Sequence, residues 1–144
     1  MFSKSCEYGI RATLYIAMNS LDDKRVSLRD ISDKINSPEA FTSKILQQLV
    51  HHKIIHSIKG ATGGFEIEKN KHATITLSEI VHILDGEGLF TNCVMGLSAC
   101  SDTHPCPVHR MFSEIRGDLK KMLDTTTIND LILGVETGLT FLKQ

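Results

Sequence analysis

The chain has no run near the ~20 apolar residues that a membrane-spanning helix needs. Its start, MFSKSCEYG, carries no apolar stretch of the kind found in a signal peptide. The expectation is therefore a soluble, cytoplasmic protein with no membrane partner. No internal repeat or low-complexity tract interrupts it. With 144 residues, 41% hydrophobic and 23% charged, it should form one compact domain with a single principal core and a helical extension. Cysteine is scarce outside one place. Apart from Cys6, the thiols lie in CVMGLSACSDTHPCPVH, residues 93–109. Three is an awkward number to pair, and thiols stay reduced in the expected compartment, so a metal or redox site is favoured over a disulfide framework. Acid is missing from another place. Residues 40–65 contain no Asp or Glu but hold Lys44, Lys53 and Lys59 with His51, His52 and His56. A net charge of -1 thus conceals a positive segment suited to an anionic partner.

Periodicity supplies the elements. In EYGIRATLYIAMNS, Ile10, Leu14, Ala17 and Met18, followed by Leu21, recur as the stripe of an amphipathic helix. Ser27 and Asp30 resemble a capping box opening a short second helix that buries Leu28, Ile31 and Ile35. A third helix opens with Ser37 as N-cap and Pro38 at its first position, burying Phe41, Ile45 and Leu49. Its other face carries Ala40, Thr42, Ser43, Lys44, Gln47 and Gln48. The period then changes. Phe65 and Ile67 alternate with Glu66 and Glu68, and Gly60 and the Gly63 and Gly64 pair supply the backbone angles of a hairpin tip. Thr76 and Glu79 open a fourth helix with Ile80, Ile83 and Leu84 inward and Gly86 as stop. The fold class is mainly α with a small β-hairpin, in the order of a winged helix-turn-helix.

After a loop at 86–105, Val108, Met111, Phe112, Ile115, Leu119, Met122 and Leu123 are spaced like the seam of a coiled coil. A stripe of that length calls for a partner. A last helix offers Leu131, Val135, Leu139 and Leu142 for the same purpose. The resulting division is a winged domain at 1–85, a cysteine loop at 86–105 and dimerisation helices at 106–144.

In such a fold the recognition helix lies in the major groove, where small polar or basic side chains near its start reach base edges. Thr42, Ser43, Lys44 and Gln47 fit that role, with Ser37 at the helix start. Lys59, Gly60 and Thr62 fit a wing tip on phosphates or the minor groove. Arg29 is at most a backbone contact. The competing reading is an ordinary solvated face.

The cysteine spacing is C-x6-C-x5-C-x2-H, from Cys93 through Cys100 and Cys106 to His109. Structural zinc sites usually include a close C-x2-C pair, which is missing here. The wider spacing suits an iron-sulfur cluster better. Zinc, metal-free redox thiols and ordinary free cysteines remain open. Cys6, alone on an amphipathic helix, is better explained as a small buried apolar residue. No acid, base or nucleophile constellation stands near the thiols, so no enzyme is expected.

Together, YGIRATLYIA, SLRDISDKI, KILQQLV, the wing SIKGATGGFEI, TLSEIVHILDG and the three-cysteine loop resemble the iron-sulfur transcription regulators related to IscR and NsrR, the Rrf2 superfamily. The resemblance covers nearly the whole chain. It implies a homodimer crossed through its long C-terminal helices that binds a two-fold-related operator on double-stranded DNA. It also implies that affinity for the operator follows the state of a 2Fe-2S or 4Fe-4S cluster responding to redox state, nitric oxide or iron-sulfur status. Cys93, Cys100 and Cys106 match the family's ligands. His109 stands where the IscR-like branch places its histidine, and Glu7 where NsrR-like members bring a carboxylate from the partner subunit. The six-residue gap between the first two cysteines is longer than in the IscR-like branch, so both candidates stay open. The alternative is a regulator of the same fold with structural zinc or no metal, controlled by a small molecule or a protein partner.

Overall fold

The computed structural model describes residues 1–142. Among these the chain runs α1 (Lys4–Leu21), α2 (Leu28–Ile35), α3 (Glu39–His51), β1 (His56–Ile58) and β2 (Gly64–Glu66). A 3-10 turn at Lys69–Lys71 leads to α4 (Leu77–Asp85), the one-turn α5 (Gly88–Thr91), α6 (His109–Thr125) and α7 (Ile128–Glu136). The mainly helical chain with one hairpin, in winged helix-turn-helix order, is as the sequence leads one to expect.

Local chemistry explains most of the boundaries. The Ser3 hydroxyl accepts from the Cys6 N–H at 3.1 Å and starts α1. Ser27 and Asp30 form the expected capping box, and Asn36 in the left-handed region ends α2. Thr76 with Glu79, and Thr127 with Asp130, do the same at the starts of α4 and α7. Helix α3 departs from expectation. It begins at Glu39 after an extended Pro38, and no side chain caps it. The Ser37 hydroxyl is instead engaged with that of Thr42.

Helix α1 is the centre of the molecule, packed by α2, α3, α4 and α7. With neighbours on several sides it buries Cys6, Gly9, Ala12, Thr13 and Ile16 besides the expected Leu14 and Ala17, while Ile10 and Met18 are only partly covered. A side chain at Gly9 would run into Leu84 and Ile45, which is why α1 and α4 can lie close together. Burial of Ile16, Ile31, Leu46, Leu49, Ile55, Ile67 and Ile80 contributes about 1.5–3 kcal/mol for each side chain.

The last helix corrects the sequence reading. Ile128 and Ile132 of α7 are buried in the same core as α1, with Leu131, Val135 and Leu142 packed against it. Leu139 lies beyond the helix end, largely exposed. Thus α7 closes this chain's own core, and the core does not stop at residue 85. A second, smaller cluster joins Cys6, Leu77, Val81 and Leu123 with Leu89, Phe90 and Leu119, seating the start of the cysteine loop and the end of α6 on α4.

Candidate DNA interface and cysteine site

Helix α3 and the β1–β2 hairpin form one surface. The strands pair antiparallel, His56 with Glu66, Ser57 with Phe65 and Ile58 with Gly64. Val26 adds an isolated antiparallel bridge on the other side of Phe65, which ties the loop before α2 to the two-stranded wing. Between helix and wing lies a cleft of about 410 Å³ lined by Ser43, Gln47, Val50, His51, Ser57 and Phe65. Lys44, Gln47, Lys59, Gly60 and Thr62 are exposed and Ser43 is half-buried. The Gln47 amide reaches the Ser43 hydroxyl at 3.4 Å. Gly60 has φ +105, the turn geometry a glycine tolerates.

Thr42 is a correction. It is 0% exposed, and its hydroxyl donates to the Pro38 carbonyl at 3.0 Å, so it holds the start of α3 and cannot reach a base. Ser37, half-buried and engaged with Thr42, supports the same turn. Arg29 is exposed on α2, 4.0 Å from Asp33.

The cysteine site is built where α5, the loop and the start of α6 meet. Cys93 is buried, and Cys100 and Cys106 are half-buried; all are free thiols. Backbone N–H groups of Leu97 and Met95 hold the Cys93 thiol below its ordinary range, assisted by Cys106 and the Arg116 cation. His109, the first residue of α6, lies with Nδ1 3.3 Å from the Cys100 sulfur and donates from Nε2 to Asp102 at 2.7 Å. In the tautomer with its proton on Nε2, Nδ1 presents a lone pair toward the Cys100 sulfur. Arg116, which sequence reasoning missed, donates to the Cys100 sulfur at 3.4 Å and to the Asn92 carbonyl at 2.5 Å. Its only sequence signal is a basic residue on the seam helix.

Glu7 is not joined to the loop within one chain; its carboxylate pairs with Lys4 at 2.6 Å, which holds it below the usual range. Cys6 is buried in the second cluster, and burial followed by Asp85 pushes its thiol up to about 12, in keeping with an apolar role. Three thiols, an imidazole and a guanidinium fit an anionic iron-sulfur cluster in their chemistry. Among the described residues no trio of His, Cys, Asp or Glu converges tightly enough for a single metal ion.

Along α6, Met111, Phe112, Ile115 and Met122 are exposed. Val108 caps the helix, partly buried. Leu119 turns inward against the second cluster, so it contributes to the chain's own packing rather than to a free seam.

A helix beside a two-stranded wing defines a winged helix-turn-helix fold, and among the described residues no helix is long and apolar enough to cross a membrane. A family model described as Rrf2, iron-dependent transcriptional regulator, matches residues 2–133, and the chain belongs to that family. A relative in Aquifex aeolicus is 28% identical over 134 residues, spanning 92% of this chain and 91% of its own. The HTH-type transcriptional regulator CymR of Bacillus subtilis is 26% identical over 124 residues, spanning 86% and 83%. Among solved structures, B. subtilis CymR, described as the global cysteine regulator, is similar with a TM-score of 0.74 at 24% identity, covering 92% of this chain and 96% of its own. IscR of T. potens is similar with a TM-score of 0.74 at 17% identity, covering 98% and 92%. At those identities the two structures speak for the fold. The chain is a transcription regulator of this family and not an enzyme.

Proposed function

We propose that the chain is a cytoplasmic, cluster-gated transcription regulator. Cys93, Cys100 and Cys106 would hold a 2Fe-2S or 4Fe-4S cluster, with His109 as fourth donor or Glu7 of the partner subunit in its place. The observation that supports this reading is the His109 Nδ1 at 3.3 Å from the Cys100 sulfur, with Arg116 on the same sulfur and Cys106 beside Cys93, at the joint between the winged domain and α6. Bound there, a cluster would supply chemistry that responds to oxidants and nitric oxide, held by Cys93, Cys100 and Cys106 of the loop region and by His109 of α6 or Glu7 of the partner subunit.

The chain's own residues do the rest. Ser43, Lys44 and Gln47 face base edges, and Lys59, Gly60 and Thr62 face phosphates or the minor groove. Met111, Phe112, Ile115 and Met122 form the seam of a homodimer. Two recognition helices must then meet half-sites about one turn, ~34 Å, apart, so a small shift at the joint changes affinity for a two-fold-related operator.

The test is anaerobic purification with a visible spectrum and iron, sulfide and zinc analysis, followed by operator binding with and without the cluster. A brown protein bleached in Cys100→Ala, with different operator affinities in the two states, is the expected result. A colourless protein, or equal affinities, overturns it. The family likeness to CymR favours one second reading, a winged-helix regulator with structural zinc or no metal that answers to a small molecule or protein partner. One zinc per chain without colour would support that reading.

A further inference from the structure

We propose that Arg25, in the loop between α1 and α2, is a positioning residue for DNA binding that braces the wing. Its Nε donates to Glu66 Oε2 at 2.7 Å, and its Nη1 donates to the Thr62 carbonyl at 3.2 Å. The next residue, Val26, exchanges two backbone hydrogen bonds with Phe65, of 3.2 and 2.8 Å. One side chain therefore runs from the loop that leads into α2 to the strand β2 and on to the wing tip.

The fit on the wing side is tight. Gly64 has φ +137, and a Cβ there would stand 2.9 Å from the Val26 carbonyl oxygen and 3.1 Å from the Arg25 Cβ. Only glycine lets the two segments approach this closely. The brace also answers a charge problem. Glu66 is the first acid after the acid-free segment, directly beyond the DNA-facing cleft. Glu68, the next acid, lies 3.3 Å from the His56 imidazole and 3.7 Å from the Lys71 amine. Arg25 covers the Glu66 carboxylate, and it does so with a planar fork that can hold a carboxylate and a carbonyl at once. Half of the contact is to a backbone carbonyl at the tip, so the guanidinium fixes where Lys59, Gly60 and Thr62 point as well as what charge lies beside them.

The test uses the full chain and a DNA duplex of about 30 base pairs, long enough for two half-sites. Arg25→Ala is expected to lower affinity several-fold and to flatten the salt dependence by about one phosphate contact. Arg25→Ala with Glu66→Gln, which removes the uncovered charge but not the missing brace, is expected to stay weak. The exchange Arg25→Glu with Glu66→Arg, which restores the ion pair but leaves the Thr62 carbonyl without its donor, is expected to recover only part of the affinity. Thermal midpoints accompany each measurement. Where Arg25→Ala does not fold, Arg25→Lys replaces it, with affinity below native expected because an ammonium cannot span both acceptors. Native affinity and salt slope in a folded Arg25→Ala or Arg25→Lys would overturn the proposal. So would full recovery in the Glu66→Gln pair, which would leave charge masking alone. A folded exchange variant that gains nothing over Arg25→Ala would also overturn it, because the link between positions 25 and 66 would then contribute nothing to DNA binding.

Discussion

Gly64 and His72 show how single residues set limits on this fold. Gly64 sits at φ +137 against the Val26 carbonyl, so Gly64→Ala both strains the backbone and forces the bridge apart. A cost of about 1–3 kcal/mol is expected, read as a lower thermal midpoint with weakened DNA binding. His72 is 2% exposed; its Nε2 faces the Ile67 carbonyl at 3.3 Å, and among the described residues Nδ1 has no partner. Burial holds its pKa below the ordinary 6.5. As pH falls through 6.5 the unfolded chain takes up a proton that the folded chain refuses. Stability is therefore full above that value and declines as pH drops toward the folded pKa. Thermal unfolding from pH 8 to pH 5 should show the decline, and His72→Gln, which keeps a donor for Ile67, should flatten it. At this scale the sequence was a partial guide. Thr42 is small and polar at a surface-facing position of the helical pattern, and the pattern does not reveal that its hydroxyl is taken up by the Pro38 carbonyl and by Ser37. Arg25 gave no signal because its partners stand 37 and 41 positions away.

At the scale of elements, periodicity and caps were legible where the information is local. The boxes at Ser27 and Thr76, and Gly86 as a stop, place α2 and α4 closely. What an apolar stripe cannot tell is which surface covers it. The stripes on α6 and α7 are alike in sequence, yet α7 is buried on α1 while α6 leaves Met111 61% and Ile115 57% exposed. The two helices therefore answer differently to mutation. Ile132→Ala should cost about 2–5 kcal/mol and lower the thermal midpoint at any protein concentration. Ile115→Glu should leave the fold of one chain intact and shift the species from dimer to monomer, read by sedimentation equilibrium. A monomer in both variants, or a dimer in the second, would reverse this assignment. The one-turn α5 has no capping side chain and lies in a Gly-containing stretch, so its sequence looks like the loop that follows it.

For the whole molecule, the question is how a change among the cysteines reaches the DNA surface. The start of the loop is fastened at both ends of its short helix. Phe90 stacks on His82 of α4 with ring centroids 4.7 Å apart, His82 faces Glu87 at 3.0 Å, and the Lys120 amine of α6 lies 5.9 Å from the Phe90 ring. Two residues after α5 comes Cys93, and between them Asn92 is held by Arg116 of α6. Any rearrangement of the thiols thus acts on a contact shared by α4 and α6, the elements that carry the winged domain and the seam. On the cluster-gated reading, Phe90→Ala should leave cluster loading and dimerisation in place and loosen this shared contact. The ratio of operator affinities between loaded and unloaded protein, expected in the native chain to reflect about 1–3 kcal/mol of coupling, should then shrink toward one. The measurement is a pair of binding isotherms for each protein, with iron and sulfide content determined on the same samples. A variant that loads fully and keeps the native ratio would mean that the signal passes through α6 and the dimer seam alone.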